Sequence, residues 1–395
     1  MTFPTEWDYK VKLTSDNTKV ASAVKGLAVD LSNMPAGFWT NVKSDGSDIR
    51  ITSDEEGTTQ VARDVISIDT TGETGLIRFD TSSISTGSDT DYWLFYGNSE
   101  AAEPSPSDTY GQYNTYDSDL KAYITPTGSG STVFDRTSNQ NHCEIQGGLT
   151  IGDGKIDKAF YFNGTNSFLS YQFHNGTNNL FNIGQQFTIS QWIYIPSYSS
   201  NWHAIYLQSS ASSVASRNQG IGVRVATTGK LVTFAGKQNL GDSRSVESVS
   251  DVPINTWVRV TGKMDNTILQ VALNGVVDET NSTDSGNVVF GANCYSPTNT
   301  YIGARAQSQV SGVCQSPPYT NVDFFQSRLQ EQFVWNRYLT EDEDLTFYNN
   351  ESDNDSFWTF GPQEEVTGIT IATLPASNIT FNSAQLNCEI EGVEE

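Results

Sequence analysis

The stretch from Phe325 to Tyr348 passes from strand chemistry to helix chemistry within a few residues, and so reads as a strand running into a capped helix. Leu329, Glu331, Phe333 and Trp335 alternate with their neighbours as on a strand, which places them on one face. Thr340 then opens a short acidic turn that ends on Leu345 and Tyr348. Thr340 with Glu343 three residues later has the form of a capping box. Glu341, Asp342 and Glu343 sit where the positive end of a helix dipole favours carboxylates. The run of acids is therefore read as a helix start and not as a catalytic cluster.

This stretch resembles the closing motif of LamG-like, concanavalin A-like jelly rolls, a strand followed by an Asn-Arg-Ala-Leu-Ser turn and a short helix. Glu331, Asn336, Arg337 and Leu339 match that motif, whereas Ser327, Gln330 and Tyr338 depart from it. Upstream, Asp135-Arg-Thr-Ser-Asn139-Gln-Asn141-His142 is similar to the family's opening turn, and Gly154-Lys-Ile-Asp-Lys158-Ala159-Phe-Tyr-Phe162-Asn-Gly164 to the segment after it. Between the two ends, strand signals follow in family order at Phe187 to Tyr194, Trp257-Val-Arg-Val, Leu273-Asn274-Gly275 and Tyr301-Ile-Gly303. The resemblance implies an all-β fold of β-sandwich domains, the central one a concanavalin A-type jelly roll over residues 120–362 with its first and last strands adjacent.

At 395 residues the chain exceeds what one core serves, so further domains are expected. Residues 1–100 read as a small sandwich, opened by the alternating Trp7-Asp-Tyr-Lys-Val-Lys-Leu and closed by Tyr92-Trp-Leu-Phe-Tyr96-Gly97-Asn98. With Asp48, Arg50, Gly97 and Asn98 it resembles a DUF2341-type domain. Asp48 and Arg50 share a strand face and each could pair across a neighbouring strand, and Gly97-Asn98 supplies a turn, so all four are read as scaffold. Residues 101–119 have the Pro and Ser content of a linker. Residues 363–395 resemble the first two strands of a fibronectin type III or immunoglobulin-like module, Pro375 preceding Ser383-Ala-Gln-Leu. Two strands bury no core of their own, so the natural protein is expected to continue.

Charge narrows the function. A net −24, from 46 acids against 22 bases, repels phosphate backbones and anionic lipid, which argues against nucleic acid as a partner. No run of 18 apolar residues occurs, which argues against membrane insertion, and the N-terminus has neither the basic start nor the apolar centre of a secretion signal. A virion protein released by lysis needs no such signal. The cysteines Cys143, Cys294, Cys314 and Cys388 have no zinc-site spacing. Cys294 and Cys314 bracket a proline-rich loop, where a bridge and two free thiols are both open, and Cys143 and Cys388 are read as small core residues.

A glycosidase on this fold needs paired carboxylates, and Glu331 has Leu329 at spacing two instead of an acid. His142, His174 and His203 lie on separate elements without a nucleophile motif. Calcium is the cofactor to consider: Asp135, Asn139 and Asn141 could offer oxygens from one turn, or could close that turn on their own backbone. For sugars, aromatic platforms beside small polar residues point first to Tyr198, Asn201 and Trp202, and second to Tyr295 and Tyr319.

The combined reading is a non-enzymatic extracellular structural or adhesion protein with a lectin-like domain, a tail, fibre or capsid-surface component of a virion. Its expected partners are glycans or cell-surface polysaccharide and other subunits of a homo-oligomeric assembly. The alternatives are a purely structural subunit-contact module, a secreted prokaryotic adhesin and, less favoured, a polysaccharide-degrading enzyme.

Overall fold

The computed structural model describes residues 3–171, 181, 183–198, 203–209, 220–236, 243–282, 299–306, 322–324, 326–366, 370–377 and 385–391. Cys294, Cys314, His174, Asn201, Trp202, Tyr295 and Tyr319 lie outside these residues.

The strand Tyr9–Ser15 alternates as its sequence requires, with Val11, Leu13 and Ser15 turned inward. It belongs to a five-stranded sheet in the order Trp358–Glu365, Tyr9–Ser15, Thr90–Tyr96, Arg50–Thr52, Gln60–Val61. A three-stranded sheet, Leu27–Asp30, Thr74–Phe79, Arg63–Asp69, supplies the second layer. Val11, Leu13, Leu27, Val29, Ile77 and Leu94 are buried together in the core.

One strand of this sandwich comes from the far end of the chain. Trp358–Glu365, expected to close the jelly roll beside its first strand, instead pairs antiparallel with Tyr9–Ser15, Trp358 opposite Ser15 and Glu365 opposite Tyr9. The reason is aromatic burial. Phe357 and Trp358 are fully buried in the sandwich core. The Trp358 ring sits 5.6 Å from Phe79 and 6.2 Å from Tyr92, and its indole N–H donates to the Ala28 carbonyl at 2.8 Å.

The segment read as a linker is also bound down. Tyr116 is buried and donates to Asp64 at 2.5 Å, and Glu103 accepts from the buried Arg63 at 2.7 Å. Proline and serine gave it the composition of a spacer, but one large ring and two polar anchors fix it to the sandwich.

The central domain is a concanavalin A-like jelly roll, and among the described residues its strand pairs are antiparallel. One sheet contains Leu120–Ser129, Gln326–Trp335, Gln186–Tyr194, Trp257–Asp265, Ile268–Leu273 and Val276–Ser282. The other runs Cys143–Gln146, Phe168–Tyr171, Asn299–Ile302, His203–Ser209, Gly220–Val225, Lys230–Gly236, Ser243–Asp251. Thr132–Asp135 links the two through the bent first strand. Asn274 and Gly275, at φ 54° and 76°, make the two-residue hairpin turn their dipeptide calls for. Ile189, Ile193, Val223, Val258, Val260 and Leu329 fill the space between the sheets.

Beyond the jelly roll, Thr370–Ser377 and Gln385–Glu391 form an antiparallel pair, the two strands expected there. Among the described residues no helix is long and apolar enough to cross a membrane.

Candidate functional site

The strand Gln326–Trp335 departs from simple alternation at Glu331, whose φ is +56°. Against Gln186–Tyr194, Phe333 faces Ser190 and Gln330 faces Trp192, so Glu331 and Gln332 together oppose Gln191. This is a β-bulge, and its extra residue inverts the faces beyond it. Leu329 and Val334 point into the jelly-roll core, whereas Phe333 and Trp335 belong to the core shared with the N-terminal sandwich. The single face expected for Leu329, Glu331, Phe333 and Trp335 is thereby divided, and Glu331 is aimed out of the jelly roll.

What covers that outward face is the capped helix. Thr340 Oγ1 accepts from the Glu343 N–H at 3.2 Å, and Glu343 accepts from the Thr340 N–H at 2.8 Å, which completes the capping box. The helix Glu341–Ser352 then carries Asp344, Phe347 and Glu351 inward between jelly roll and sandwich.

At this seam the charges meet. Arg78 places one guanidinium nitrogen 2.8 Å from Glu331 and 2.8 Å from Glu351, with all three side chains fully buried. Arg259 is ion-paired to Glu351 and lies 3.6 Å from Asp344. Trp192 donates to Glu351 at 2.7 Å and Tyr123 donates to Glu331 at 2.7 Å. Around them the Tyr123 and Phe333 rings stack at 4.5 Å, and Arg78 lies over both.

Burial pushes the Glu331 carboxyl up, and the nearby Glu351 charge adds to that against the pull of Arg78. For Glu351 burial acts upward too, but Arg259 and Arg78 together outweigh it and hold this carboxyl low. Each buried carboxylate faces an arginine, so the arrangement clamps two domains together and leaves neither glutamate placed as a free acid or base. The part that Arg78, Trp192, Arg259 and Glu351 play at this seam went unread in the sequence. A signal existed: Leu76-Ile77-Arg78-Phe79 and Trp257-Val-Arg259-Val each set a cation inside an apolar strand.

The family-like segments support this face. Gln330 accepts from the Lys155 and Ile156 N–H groups, and a Cβ on Gly154 would lie 2.7 Å from the Asp157 backbone oxygen, so a side chain there would force the backbone to shift. In the sandwich, the buried Asp48 accepts from Lys43 N–H at 3.1 Å and Gly97 N–H at 2.8 Å. Arg50 donates to the carbonyls of Ser47, Ile49 and Ala102, each at 2.8 Å. Both serve loop backbone and neither makes the cross-strand pair expected of it.

Asp135, Asn139 and Asn141 do come together in one turn. Asp135 is buried and accepts from the N–H groups of Tyr123 (2.9 Å), Thr137 (3.0 Å) and Asn141 (2.8 Å), and from the Thr137 hydroxyl (2.9 Å). Asn139 and Asn141 donate to the carbonyls of Leu120 and Lys121. This geometry is that of a turn closed by its own side chains. Burial pushes the Asp135 carboxyl up to about 6 against those hydrogen bonds. Among the described residues no group of three His, Cys, Asp or Glu gathers as a metal cage.

Of the expected sugar-binding residues, Tyr198 is described. It is half-buried against the jelly-roll core, and its hydroxyl donates to the Val252 carbonyl at 2.5 Å, which ties two rim loops together. His203 is buried, and burial pushes its imidazole down to about 4. Cys143 is buried and free.

Residues 170–343 match the family Laminin_G_3, described as the concanavalin A-like lectin/glucanases superfamily. Among solved structures, the chain is similar to the binding domain of Paraclostridial Mosquitocidal Protein 1, at 17% identity over 59% of this chain and 52% of that one, with a TM-score of 0.42. It is similar to the binding domain of Botulinum Neurotoxin DC in complex with SialylT, at 14% identity, 59% and 52% coverage and TM-score 0.43. A third likeness is to domain 4 of AbnA, a GH43 extracellular arabinanase from Geobacillus stearothermophilus, in complex with arabinotriose, at 17% identity, 58% and 98% coverage and TM-score 0.42. The chain spans about half the length of the first two. At these levels none of the three bears on what this chain binds. No curated protein matches it.

Proposed function

We propose that this chain is a non-catalytic extracellular protein of structure or adhesion, in which the concanavalin A-like jelly roll recognises glycans. It acts within a larger homo-oligomeric assembly, of which a virion tail, fibre or capsid surface is the favoured kind. One observation carries the choice of binding over hydrolysis in a family described by both: the buried carboxylates Glu331, Glu351 and Asp344 are taken up by Arg78 and Arg259 at a domain seam. A glycosidase holds two such groups open to one bond, some 5 to 9.5 Å apart. Tyr198, with Asn201 and Trp202 beside it in the sequence, is the first candidate binding set to test.

A glycan array probed with the whole chain and with a Tyr198→Ala, Trp202→Ala double variant makes that test. Loss of binding in the variant supports the rim; retention sinks that site assignment. The array is run with calcium and with a chelator, so that a role for Asp135, Asn139 and Asn141 as ion ligands is read in the same experiment.

The purely structural reading draws on a different observation. Val249 and Val276 are 65% and 61% exposed on neighbouring edges of the two sheets, joined where Ser250 N–H donates to Asp278 at 2.9 Å. A chain that binds no glycan but self-associates through these valines, read by sedimentation of a Val249→Asp, Val276→Asp variant, would replace the lectin reading.

A further inference from the structure

We propose that the seam between the N-terminal sandwich and the jelly roll carries a ligand site of its own, a polar cleft that takes a neutral saccharide. The cleft is open to solvent and holds about 670 Å³, within the roughly 300–1,000 Å³ typical of small-molecule sites. All three parts of the chain build it: Lys25 from the sandwich, Tyr113 and Ser118 from the segment that joins the two domains, and Ser138 and Arg337 from the jelly roll. Its apolar floor is the buried pair Val24 and Tyr116.

Both cations at the wall are already paired, the two of them against three carboxylates. Lys25 lies 2.7 Å from Asp80, and Arg337 lies 2.7 Å from Asp117 and 2.9 Å from Glu343. An anionic ligand would meet an excess of carboxylates and would have to compete for a lysine or arginine already paired, and a cation would find each carboxylate already facing one. The ligand that fits without such a cost is uncharged.

The open hydrogen-bonding capacity includes three hydroxyls beside the exposed Asn114 amide. Among the described residues the side chains of Ser118, Ser138 and Tyr113 have no hydrogen-bond partner, while Ser118 and Ser138 are exposed and Tyr113 is half-buried. Hydroxyls that both donate and accept, beside a phenol ring, match a polyhydroxylated ring with one apolar face. The walls are also held before any ligand arrives, because the buried Arg78, Glu331 and Glu351 fix the two domains relative to each other. A site preformed in this way spends little of its binding energy on ordering.

This inference is independent of the rim: Tyr198 is not in the cleft wall, and either site can fail alone. The test titrates the whole chain with a panel of neutral oligosaccharides and their sialylated and sulfated counterparts. It compares the parent with Tyr113→Ala, Ser138→Trp and the Tyr198→Ala, Trp202→Ala double variant. At least tenfold weaker binding of neutral saccharides is expected for the first two, with the rim variant keeping that component. Thermal midpoints accompany each titration, and if Tyr113→Ala lowers its own, the exposed Ser138→Trp carries the result. The cleft is overturned if neutral saccharides do not bind, if they bind both cleft variants as tightly as the parent, or if the charged counterparts bind better through it. Binding lost only in the rim variant removes the cleft and keeps the proposed function.

Discussion

The Arg78 guanidinium, rooted in the N-terminal sandwich, lies 2.8 Å from the Glu351 carboxylate on the helix that follows the jelly roll, and neither side chain reaches solvent. Two domains that are separate in sequence thus share one buried ion network and one aromatic core.

Removing one partner leaves its counter-charges buried without compensation. Arg78→Ala is expected to lower stability by about 3–5 kcal/mol, as for other broken buried pairs. Trp192, Trp335 and Trp358 lie at this seam and in the sandwich core, so their fluorescence reports it. Urea unfolding of the parent should show one transition for both domains; two separate transitions would mean that they do not unfold as a unit.

The two glutamates should answer differently to amide replacement. Glu351→Gln strips Arg259 and Arg78 of a carboxylate held in its charged form, and a loss of about 3–5 kcal/mol at neutral pH is expected. Glu331→Gln should cost less, about 1–2 kcal/mol, because burial already favours the neutral form and the amide oxygen can still accept from Tyr123. The pH signs are opposite. Glu351, held below the ordinary 4.5, contributes stability present above that pH and lost as pH falls through its lowered value. Glu331, raised above 4.5, binds its proton more tightly when folded, so its contribution weakens as pH rises through that window. Denaturant midpoints of the two variants from about pH 2 to 8 would separate these slopes, and identical profiles would contradict the assignment.

His203 gives a third pH test. Its imidazole is pushed down to about 4 by burial, against an ordinary 6.5. Between those values the unfolded chain binds the proton and the folded one does not, so stability falls as pH drops from 6.5 toward 4, by about 3 kcal/mol at most. His203→Gln should flatten that part of the profile, as read by thermal unfolding at pH 7 and pH 4.5.

Thr340→Ala removes the acceptor that caps the helix carrying Asp344 and Glu351. About 1 kcal/mol of stability should go with it, measured by urea denaturation, and Thr340→Ser should restore most of it.

The sequence made the local devices legible. The capping box at Thr340 and the alternation that opens at Trp7 and runs to Leu13 follow from short-range chemistry, and both appear where the residues placed them, the strand at Tyr9–Ser15. What stayed hidden depends on distant partners. A bulge at Glu331 costs one residue of register and is invisible to a period-two pattern, yet it decides which domain Phe333 and Trp335 face. Trp358 reads as a strand residue anywhere, and only the unfilled sandwich core selects its place. The cleft escapes for the same reason, since Lys25, Tyr113 and Arg337 are far apart in sequence and ordinary one by one.

The most direct test of glycan recognition is hydrogen exchange of the whole chain with and without a saturating saccharide identified on the array. Slowed exchange is predicted in the jelly-roll rim around Tyr198 or in the cleft segments 113–118 and 337–343. A protein that binds no saccharide, or one whose protection falls outside both regions, would contradict the account.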